Sequence, residues 1–294
     1  MFDPHRPPGN EERPLTPQER RFVIWFMALL VGLLGAEVVR DFTPVKIAVV
    51  FFLAAYVVLT AIHEAGHAIM ARLMGWRVER VVIGFGPLWK GFSVDGVPVE
   101  LRMIPIGGYV LPVPERTDRP RLANALIFAA GPGAELAVVA LLLLIFGWTT
   151  MTSASTALSV IAIQSVAAAA LVGAINNLIP RRTAEGQVTD GLGILISFKL
   201  TREDLEIRKA MPDLLDAEVR FAAGDLEGAR AVLAEAQKRH SKVFVVKLMA
   251  AELDARHGRK GQVLMELAQL ARSGGLSERE QALVEVTLDR VRQL

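Results

Sequence analysis

Residues 45–67 read VKIAVVFFLAAYVVLTAIHEAGH, and this stretch decides the fold. The sixteen residues 47–62 carry no charge, and an α-helix crosses the hydrocarbon core of a bilayer with about 20 residues. The run leads directly into two histidines and a glutamate. Ionisable groups are expensive inside a membrane and are functional there by default. The stretch therefore predicts a membrane helix with a functional site at its end.

Three further apolar stretches resemble the first in length and in their lack of charge. The four predicted spans are residues 22–39, 45–62, 124–148 and 154–180. Four nearly uncharged stretches within 180 residues, with little amphipathic character, are not typical of soluble core helices. The stretch 22–39 also differs from a signal peptide, because it is long and follows 21 polar residues. We expect a polytopic helical bundle.

Charge is distributed unevenly along the 294 residues. Residues 200–294 hold half of the charged side chains, whereas residues 149–180 hold none. This contrast excludes a single soluble globule. It predicts three parts: a cytoplasmic segment 1–21, a membrane-embedded core 22–200 and a cytoplasmic helical domain 201–294.

Composition excludes several classes of site and partner. There is no cysteine, so disulfides, thiol nucleophiles and cysteine-ligated zinc are excluded. The net charge is +2 and no strongly basic block occurs, so no nucleic-acid partner is expected. Any metal ion must be held by histidine, aspartate or glutamate.

Basic residues in the loops predict the orientation. Arg20 and Arg21 precede the first span, Arg181 and Arg182 follow the fourth, and the loop 75–121 is also basic. The loop 149–153 has no charge. Since cytoplasmic loops are rich in lysine and arginine, both termini and the loop 75–121 are expected in the cytoplasm. The chain is predicted to be a multi-pass protein of a bacterial or similar plasma membrane.

The loop 75–121 is rich in valine, isoleucine, glycine and proline. Residues 78–83 and 97–104 are predicted to form short strands around a turn at Asp95-Gly96. Strand backbone cannot face lipid with open edges. We therefore place this β-rich loop at the cytoplasmic interface, dipping into a protein-lined cavity.

The motif His63-Glu64-Ala65-Gly66-His67 predicts a metal site. Two histidines at positions i and i+4 lie on one helical face, so both imidazoles can reach one ion. Zinc lowers the pKa of a bound water towards ~7, and Glu64 stands beside the histidines as its base. A catalytic zinc needs a third protein ligand. The acidic candidates are Glu37, Glu135, Glu185 and Asp190.

Several motifs, taken in their order along the chain, resemble the site-2 protease family of intramembrane zinc metalloproteases. They are His63–His67, Gly84–Pro87, Pro105–Val110, Ala130–Pro132, and Asn177–Pro180 followed by Asp190-Gly191. The resemblance covers about residues 45–200. It implies a protease that holds one Zn²⁺ per chain and cuts transmembrane segments of other membrane proteins.

The resemblance also implies roles for individual residues. Asp190 would be the third zinc ligand beside His63 and His67, and Glu64 the catalytic base. Asn177, Gly107 and Gly108 would bind the substrate.

Two features depart from the family's pattern. Nine residues separate Pro180 from Asp190, where the family usually has fewer, which leaves Glu185 as an alternative ligand. Glu135 stands where many members carry asparagine. It is interpreted as an acid supporting the metal site, a proton relay or a helix-packing residue.

The soluble tail shows a sequence repeat. Three residues, Ala217, Gly224 and Leu233, recur 34 residues later as Ala251, Gly258 and Leu267. This period is typical of tetratricopeptide helix pairs, and residues 277–294 would form a capping helix. The tail is predicted to bind protein partners. The alternative is a helical bundle with no specific partner.

The predicted fold is thus mainly α: about four membrane spans, a short β-rich loop and an all-α tail. The predicted function is intramembrane zinc-dependent proteolysis in contact with the lipid bilayer. One alternative is a catalytically inactive relative that binds membrane proteins as a scaffold. Another is a metal transporter, which residues 154–175 do not favour because they offer only Gln164 and a few hydroxyls as a polar path.

Overall fold

The computed structural model describes residues 43–115, 118–182 and 188–294, together with a few residues between 21 and 40. Within this part the chain is mainly helical and contains a two-stranded sheet. It divides into two compact units. One ends at Lys199, and the other comprises Leu200–Leu294 with Val113–Glu115.

Three described helices are long and apolar enough to cross a membrane. They are α1 (Ile47–Leu73, preceded by a 3-10 turn at Pro44–Lys46), α2 (Pro120–Thr152) and α3 (Leu158–Leu178). They coincide with the predicted spans that begin at residues 45, 124 and 154. Most of the predicted first span, residues 22–39, lies outside the described residues, so the count of four spans stays a prediction.

Helix α1 continues beyond the predicted apolar span 45–62. The motif His63–His67 lies on this helix, as its spacing predicts, and the helix runs on for six residues to Leu73. The residues after the motif, 68–73, are mainly alanine, methionine, leucine and arginine, which are strong helix formers. The helix therefore continues through the charged motif.

Small residues let the membrane helices approach closely. An added Cβ on Gly66 of α1 would lie 2.5 Å from the carbonyl oxygen of Ala130 on α2. Ala169 and Ala170 of α3 are fully buried in a cluster with Leu59. Small residues at such contacts are typical of helix packing in membranes. This packing brings the polar motif of α1 against the middle of α2.

The loop between α1 and α2 forms a β-hairpin of strands β1 (Trp76–Val94) and β2 (Val97–Pro114). The predicted turn at Asp95-Gly96 is confirmed, with φ of 49° and 79° at these two residues. Positive φ at both central positions is typical of the tight turn that joins twisted strands. Both strands are much longer than the predicted segments 78–83 and 97–104.

The hairpin is folded back on itself. Arg80 lies 3.5 Å from Glu100. In a straight ribbon closed at Asp95-Gly96 these residues would stand roughly 36 Å apart. Gly84 and Gly107, with φ of 88° and 68°, allow the bend, since residues with a Cβ rarely adopt such backbone angles. The sequence pattern did not reveal these bends, so it predicted two short strands.

Half-buried polar side chains contact one another at this bend. Arg102 pairs with Glu100 at 2.5 Å and donates to the carbonyl oxygen of Gly86 at 3.1 Å. Tyr109 lies against the same group, and burial raises the pKa of its hydroxyl, which therefore stays protonated. These contacts stabilise the bend.

A short helix, α4 (Asp190–Ser197), follows α3. Leu200–Leu294 contain five further α-helices. They are α5 (Arg202–Ala222), α6 (Leu226–Arg239), α7 (Phe244–Asp254), α8 (Lys260–Arg272) and α9 (Glu278–Gln293). Helices α5 and α9 begin with capping boxes in which Thr201 pairs with Asp204 and Ser277 with Glu280. The last helix agrees with the predicted one at 277–294, and its Val284 and Val291 are fully buried in the core of this unit.

Candidate metal centre

His63 and His67 lie one turn apart on the face of α1 that is turned towards α2. Their side chains are buried, and their Nε2 atoms are 3.1 Å apart. The rings meet edge to face with centroids 4.7 Å apart. The helix therefore brings both imidazoles to one point, as the i and i+4 spacing predicts.

A hydrogen bond at the opposite nitrogen orients each imidazole. His67 Nδ1 donates to the carbonyl oxygen of Ile127 at 2.6 Å, and His63 Nδ1 donates to Oε2 of Glu135 at 3.0 Å. Since carbonyl and carboxylate oxygens accept, the proton of each neutral ring is assigned to Nδ1. Both Nε2 atoms then carry lone pairs on the same side.

Asp190 completes the group from a distant part of the chain. It begins the short helix α4 (Asp190–Ser197) and is buried. Its Oδ2 lies 3.0 Å from His63 Nε2, and its Oδ1 lies 3.3 Å from His67 Nε2. One carboxylate thus faces both imidazoles.

The described residues on the two sides of the segment before Asp190 lie next to each other. The amide of Thr189 donates to the carbonyl oxygen of Arg181 at 3.1 Å, and Arg182 forms a bridge with Val188. The hydroxyl of Thr189 also donates to the carbonyl oxygen of Ile179 at 2.8 Å. The added length therefore does not carry Asp190 away from the end of α3. Glu185, the alternative ligand, lies outside the described residues.

Helix α4 is held against its neighbours by close contacts. A Cβ on Gly191 would lie 1.9 Å from the carbonyl oxygen of Leu178, so only glycine fits after Asp190. Asn124 of α2 donates to the hydroxyl of Ser197 at 2.7 Å, and both side chains are fully buried. These contacts hold the first and last turns of α4 and thereby position Asp190.

The donor set fits a zinc ion. Four-coordinate zinc binds nitrogen and oxygen at about 2.0–2.2 Å, so its ligand atoms lie roughly 3.3 Å from each other. The three separations among His63 Nε2, His67 Nε2 and the Asp190 oxygens are 3.0–3.3 Å. Lone pairs and a carboxylate that converge in this way suit a cation. Within the described residues, these three side chains form the one group of three or more such residues that could hold a metal ion.

Glu64 is buried beside this group but does not belong to it. Its exposed fraction is 3%, and its Oε2 makes no hydrogen bond within the described part of the chain. Strand β2 covers its other oxygen, since an added Cβ on Gly108 would lie 2.8 Å from Oε1. A buried acceptor without a hydrogen-bond partner lowers the stability of the folded chain, and such groups often have a catalytic role. Its position is suitable for a base that works on a water molecule.

The three predicted substrate-binding residues do not lie together around Glu64. Gly108 contacts Glu64, whereas Gly107 beside it is exposed and has open space around it. Asn177 is half-buried in the last turn of α3, and its side chain makes no hydrogen bond to the other described residues. The structure thus brings Gly108, but not Gly107 or Asn177, into contact with the buried acid.

A comparison with protein families identifies the chain. The family model described as "Peptidase family M50" matches residues 51–269, well over half of the sequence. The chain belongs to peptidase family M50.

Individual M50-like relatives match over shorter segments. The regulator of sigma-E protease RseP from Escherichia coli is 40% identical over 98 residues, which cover 29% of this chain and 22% of the relative. Protease RseP from Yersinia pestis is 43% identical over 68 residues, covering 23% and 15%. The "Putative zinc metalloprotease" of Vibrio cholerae is 44% identical over 68 residues, again covering 23% and 15%. The chain thus spans less than a quarter of the length of these three relatives.

Two residues near the metal group of this M50 chain were not predicted as site residues. A Cβ on Gly131 would lie 2.4 Å from Nε2 of His67 and 2.6 Å from Nε2 of His63. Gly131 appeared in the sequence only within the motif Ala130-Gly131-Pro132. The hydrogen bond of Asn124 to Ser197 carried no sequence signal, because a single asparagine in an apolar stretch does not reveal its partner.

The close approach of Gly131 predicts a large effect of one methyl group. We expect Gly131→Ala to lower bound zinc from about one ion per chain to near zero, because the methyl would occupy the space between the ligand nitrogens. Zinc content of the purified protein is the measurement. Gly133→Ala on the same helix is the control, since an added Cβ there meets nothing within 4 Å. Full zinc content in Gly131→Ala would contradict the assigned centre.

Proposed function

We propose that this chain is a zinc-dependent intramembrane metalloendopeptidase that cuts transmembrane segments of other membrane proteins. The observation that carries this proposal is a buried group of three side chains, His63, His67 and Asp190. His63, His67 and the neighbouring Glu64 lie on a helix long enough to cross a membrane, and Asp190 joins them from the short helix α4. Family membership and the relatives' names, which describe proteases and a zinc metalloprotease, support the same activity.

His63, His67 and Asp190 would hold one zinc ion per chain. A zinc ion held there supplies Lewis acidity, which polarises a peptide carbonyl and makes water a better nucleophile. Glu64 accepts the proton of the attacking water at its free Oε2. It then donates that proton to the leaving nitrogen when the C–N bond breaks, so one carboxyl group serves as base and then as acid.

The substrate must reach this site in an extended form, because a helix hides its peptide groups in internal hydrogen bonds. Among the described residues the sheet has two strands, so each strand has one edge that pairs with no other described strand and to which an extended segment can add. Gly108 lies against Glu64, which makes this part of β2 a suitable place for the scissile bond. We assign Gly107, Gly108 and Asn177 to substrate binding.

The position of Asp190 supports an active enzyme rather than an inactive scaffold. Although nine residues separate Pro180 from Asp190, the amide of Thr189 donates to the carbonyl oxygen of Arg181, and Asp190 lies beside the histidines. The experiment that tests the function incubates the purified full chain in detergent with a single-span membrane protein. A cut that persists after a chelator has removed all metal would contradict the proposal.

We propose that both ends of the chain and the hairpin face the cytoplasm, as the basic loops indicate. Exposed apolar residues of the hairpin, such as Leu88 and Trp89, would contact the bilayer surface. We expect single cysteines at Thr150 and Ser273 to react with an impermeant reagent from opposite sides of the membrane. The native chain has no cysteine, so the labelling is specific. Labelling from the same side would contradict the proposed orientation.

We propose that residues 201–294 form a tetratricopeptide-like module that binds protein partners. Matched positions of the 34-residue repeat have similar local structure. Gly224 and Gly258 both have left-handed φ, at 82° and 92°, and Leu233 and Leu267 are both buried. Helix pairs of this kind bind protein segments rather than performing chemistry.

Removal of this module should separate docking from catalysis. A chain that ends after Thr201 should retain about one zinc ion, because the three assigned ligands precede it. It should cut a small detergent-solubilised substrate at a similar rate but change its cleavage of full-length substrates in cells. Unchanged cleavage of every substrate in cells would exclude a docking role, and loss of zinc would make the module part of the catalytic fold.

A further inference from the structure

Glu135 is buried within the membrane helix α2, and the proposed reaction does not use its carboxylate. Only 3% of its surface is exposed, although charged groups at such depth are expensive. Its Oε2 accepts the hydrogen bond from His63 Nδ1 at 3.0 Å. A group that is costly to bury and makes one specific hydrogen bond to a site residue is a candidate for a positioning role.

The second oxygen of Glu135 faces a glycine on the third membrane helix. An added Cβ on Gly173 of α3 would lie 2.3 Å from Oε1 and 3.0 Å from the carboxyl carbon of Glu135. Any side chain at position 173 would therefore displace the carboxylate. The carboxylate of α2 is thus enclosed between His63 on α1 and Gly173 on α3.

We propose that Glu135 and Gly173 form a positioning pair for the metal ligand His63. The hydrogen bond at Nδ1 fixes the rotation of the ring and leaves the lone pair on Nε2, where the other two ligands converge. Gly173 contributes by leaving space for the carboxylate in the orientation that reaches Nδ1. This inference rests on the proposed zinc site and adds residues of α2 and α3 that determine its affinity.

The main readout is the zinc affinity of the purified full chain, measured by competition with a chromophoric chelator. Loss of such a hydrogen-bonding partner typically weakens metal binding by 10–100-fold, and we expect an effect of about this size for Glu135→Ala. Glu135→Gln should lose less, because its amide oxygen can still accept from Nδ1. The zinc concentration that restores half of the cleavage should shift by the same factor as the affinity.

A double-mutant cycle tests whether Gly173 acts through Glu135. Gly173→Ala should weaken zinc binding in the wild-type chain, because its methyl group displaces the carboxylate. In the Glu135→Ala background the same change should have no further effect, since no carboxylate remains to be displaced. Gly133→Ala, where an added Cβ meets open space, is the matched control and should keep wild-type affinity.

The outcomes distinguish this inference from the proposed function. Wild-type zinc affinity in Glu135→Ala, or an equal effect of Gly173→Ala in both backgrounds, would overturn the positioning pair while the protease assignment stands. If the wild-type chain binds no zinc, the proposed function itself fails. Thermal unfolding of each variant identifies misfolding. Should Glu135→Ala fail to fold, Gly173→Ala decides, because its methyl group would displace the carboxylate: wild-type zinc affinity in that variant would overturn the pair.

Discussion

Replacement of Glu64 by glutamine should leave zinc bound and abolish cleavage. The amide has the same shape as the carboxylate, so it can keep the contact with Gly108, but it cannot accept a proton from water. General acid–base catalysis typically contributes roughly 10²–10⁴-fold to a rate, and we expect a loss of at least this size for Glu64→Gln. The measurements are zinc content and single-turnover cleavage of a membrane substrate by the purified protein.

The control for this variant is Glu266→Gln, which changes an exposed glutamate of the tail in the same way. It should alter neither zinc content nor cleavage. Cleavage by Glu64→Gln at the wild-type rate would exclude Glu64 as the base. Loss of zinc in that variant would instead indicate that Glu64 is a ligand. We do not expect this result, because Glu64 does not belong to the group of His63, His67 and Asp190.

Loss of any one ligand should empty the metal site. In His63→Ala, His67→Ala and Asp190→Ala, zinc content after dialysis should fall from about one ion per chain to near zero, because two protein ligands hold the ion poorly. Cleavage should fall in parallel. Zinc content and activity, measured on the same preparations, check both effects.

The alternative ligand provides the sharpest comparison for this experiment. Glu185→Ala should retain zinc and activity, since Asp190 already lies within 3.0–3.3 Å of both histidine nitrogens. The opposite result, zinc lost in Glu185→Ala and kept in Asp190→Ala, would reassign the third ligand. Asp190→Asn is a useful third variant, because it keeps the size of the side chain and removes its charge.

The membrane helices could be predicted because their signal is local. Long uncharged runs identify α1, α2 and α3, and basic flanking residues suggest their orientation. The prediction was less accurate where a helix continues beyond its apolar run, as α1 does to Leu73. It was also less accurate for the hairpin, whose strands run on through glycine bends that interrupt the alternating pattern.

The candidate site was predictable in part for the same reason. His63, Glu64 and His67 follow one another on one helix, so helical geometry alone brings the two imidazoles together. Residue chemistry gave Asp190 only as one of four acidic candidates, with Glu37, Glu135 and Glu185, and the resemblance to a family singled it out. The hydrogen bond from Thr189 to Arg181 and the contacts of Asp190 with the histidines have no signature in the sequence.

The amino-acid sequence was sufficient for the apolar stretches, the histidine pair and the neighbouring Glu64, because each depends on neighbours within a turn or two of helix. The contacts across helices required the folded chain. Glu135 reaches His63 over 72 residues of sequence, and Gly131 and Gly173 matter only through the atoms that they approach. Membrane helices are apolar on almost every face, so their sequences carry little signal for which face packs against which neighbour. Close packing of small residues therefore selects the faces, and with them the third ligand and the groups that orient the site.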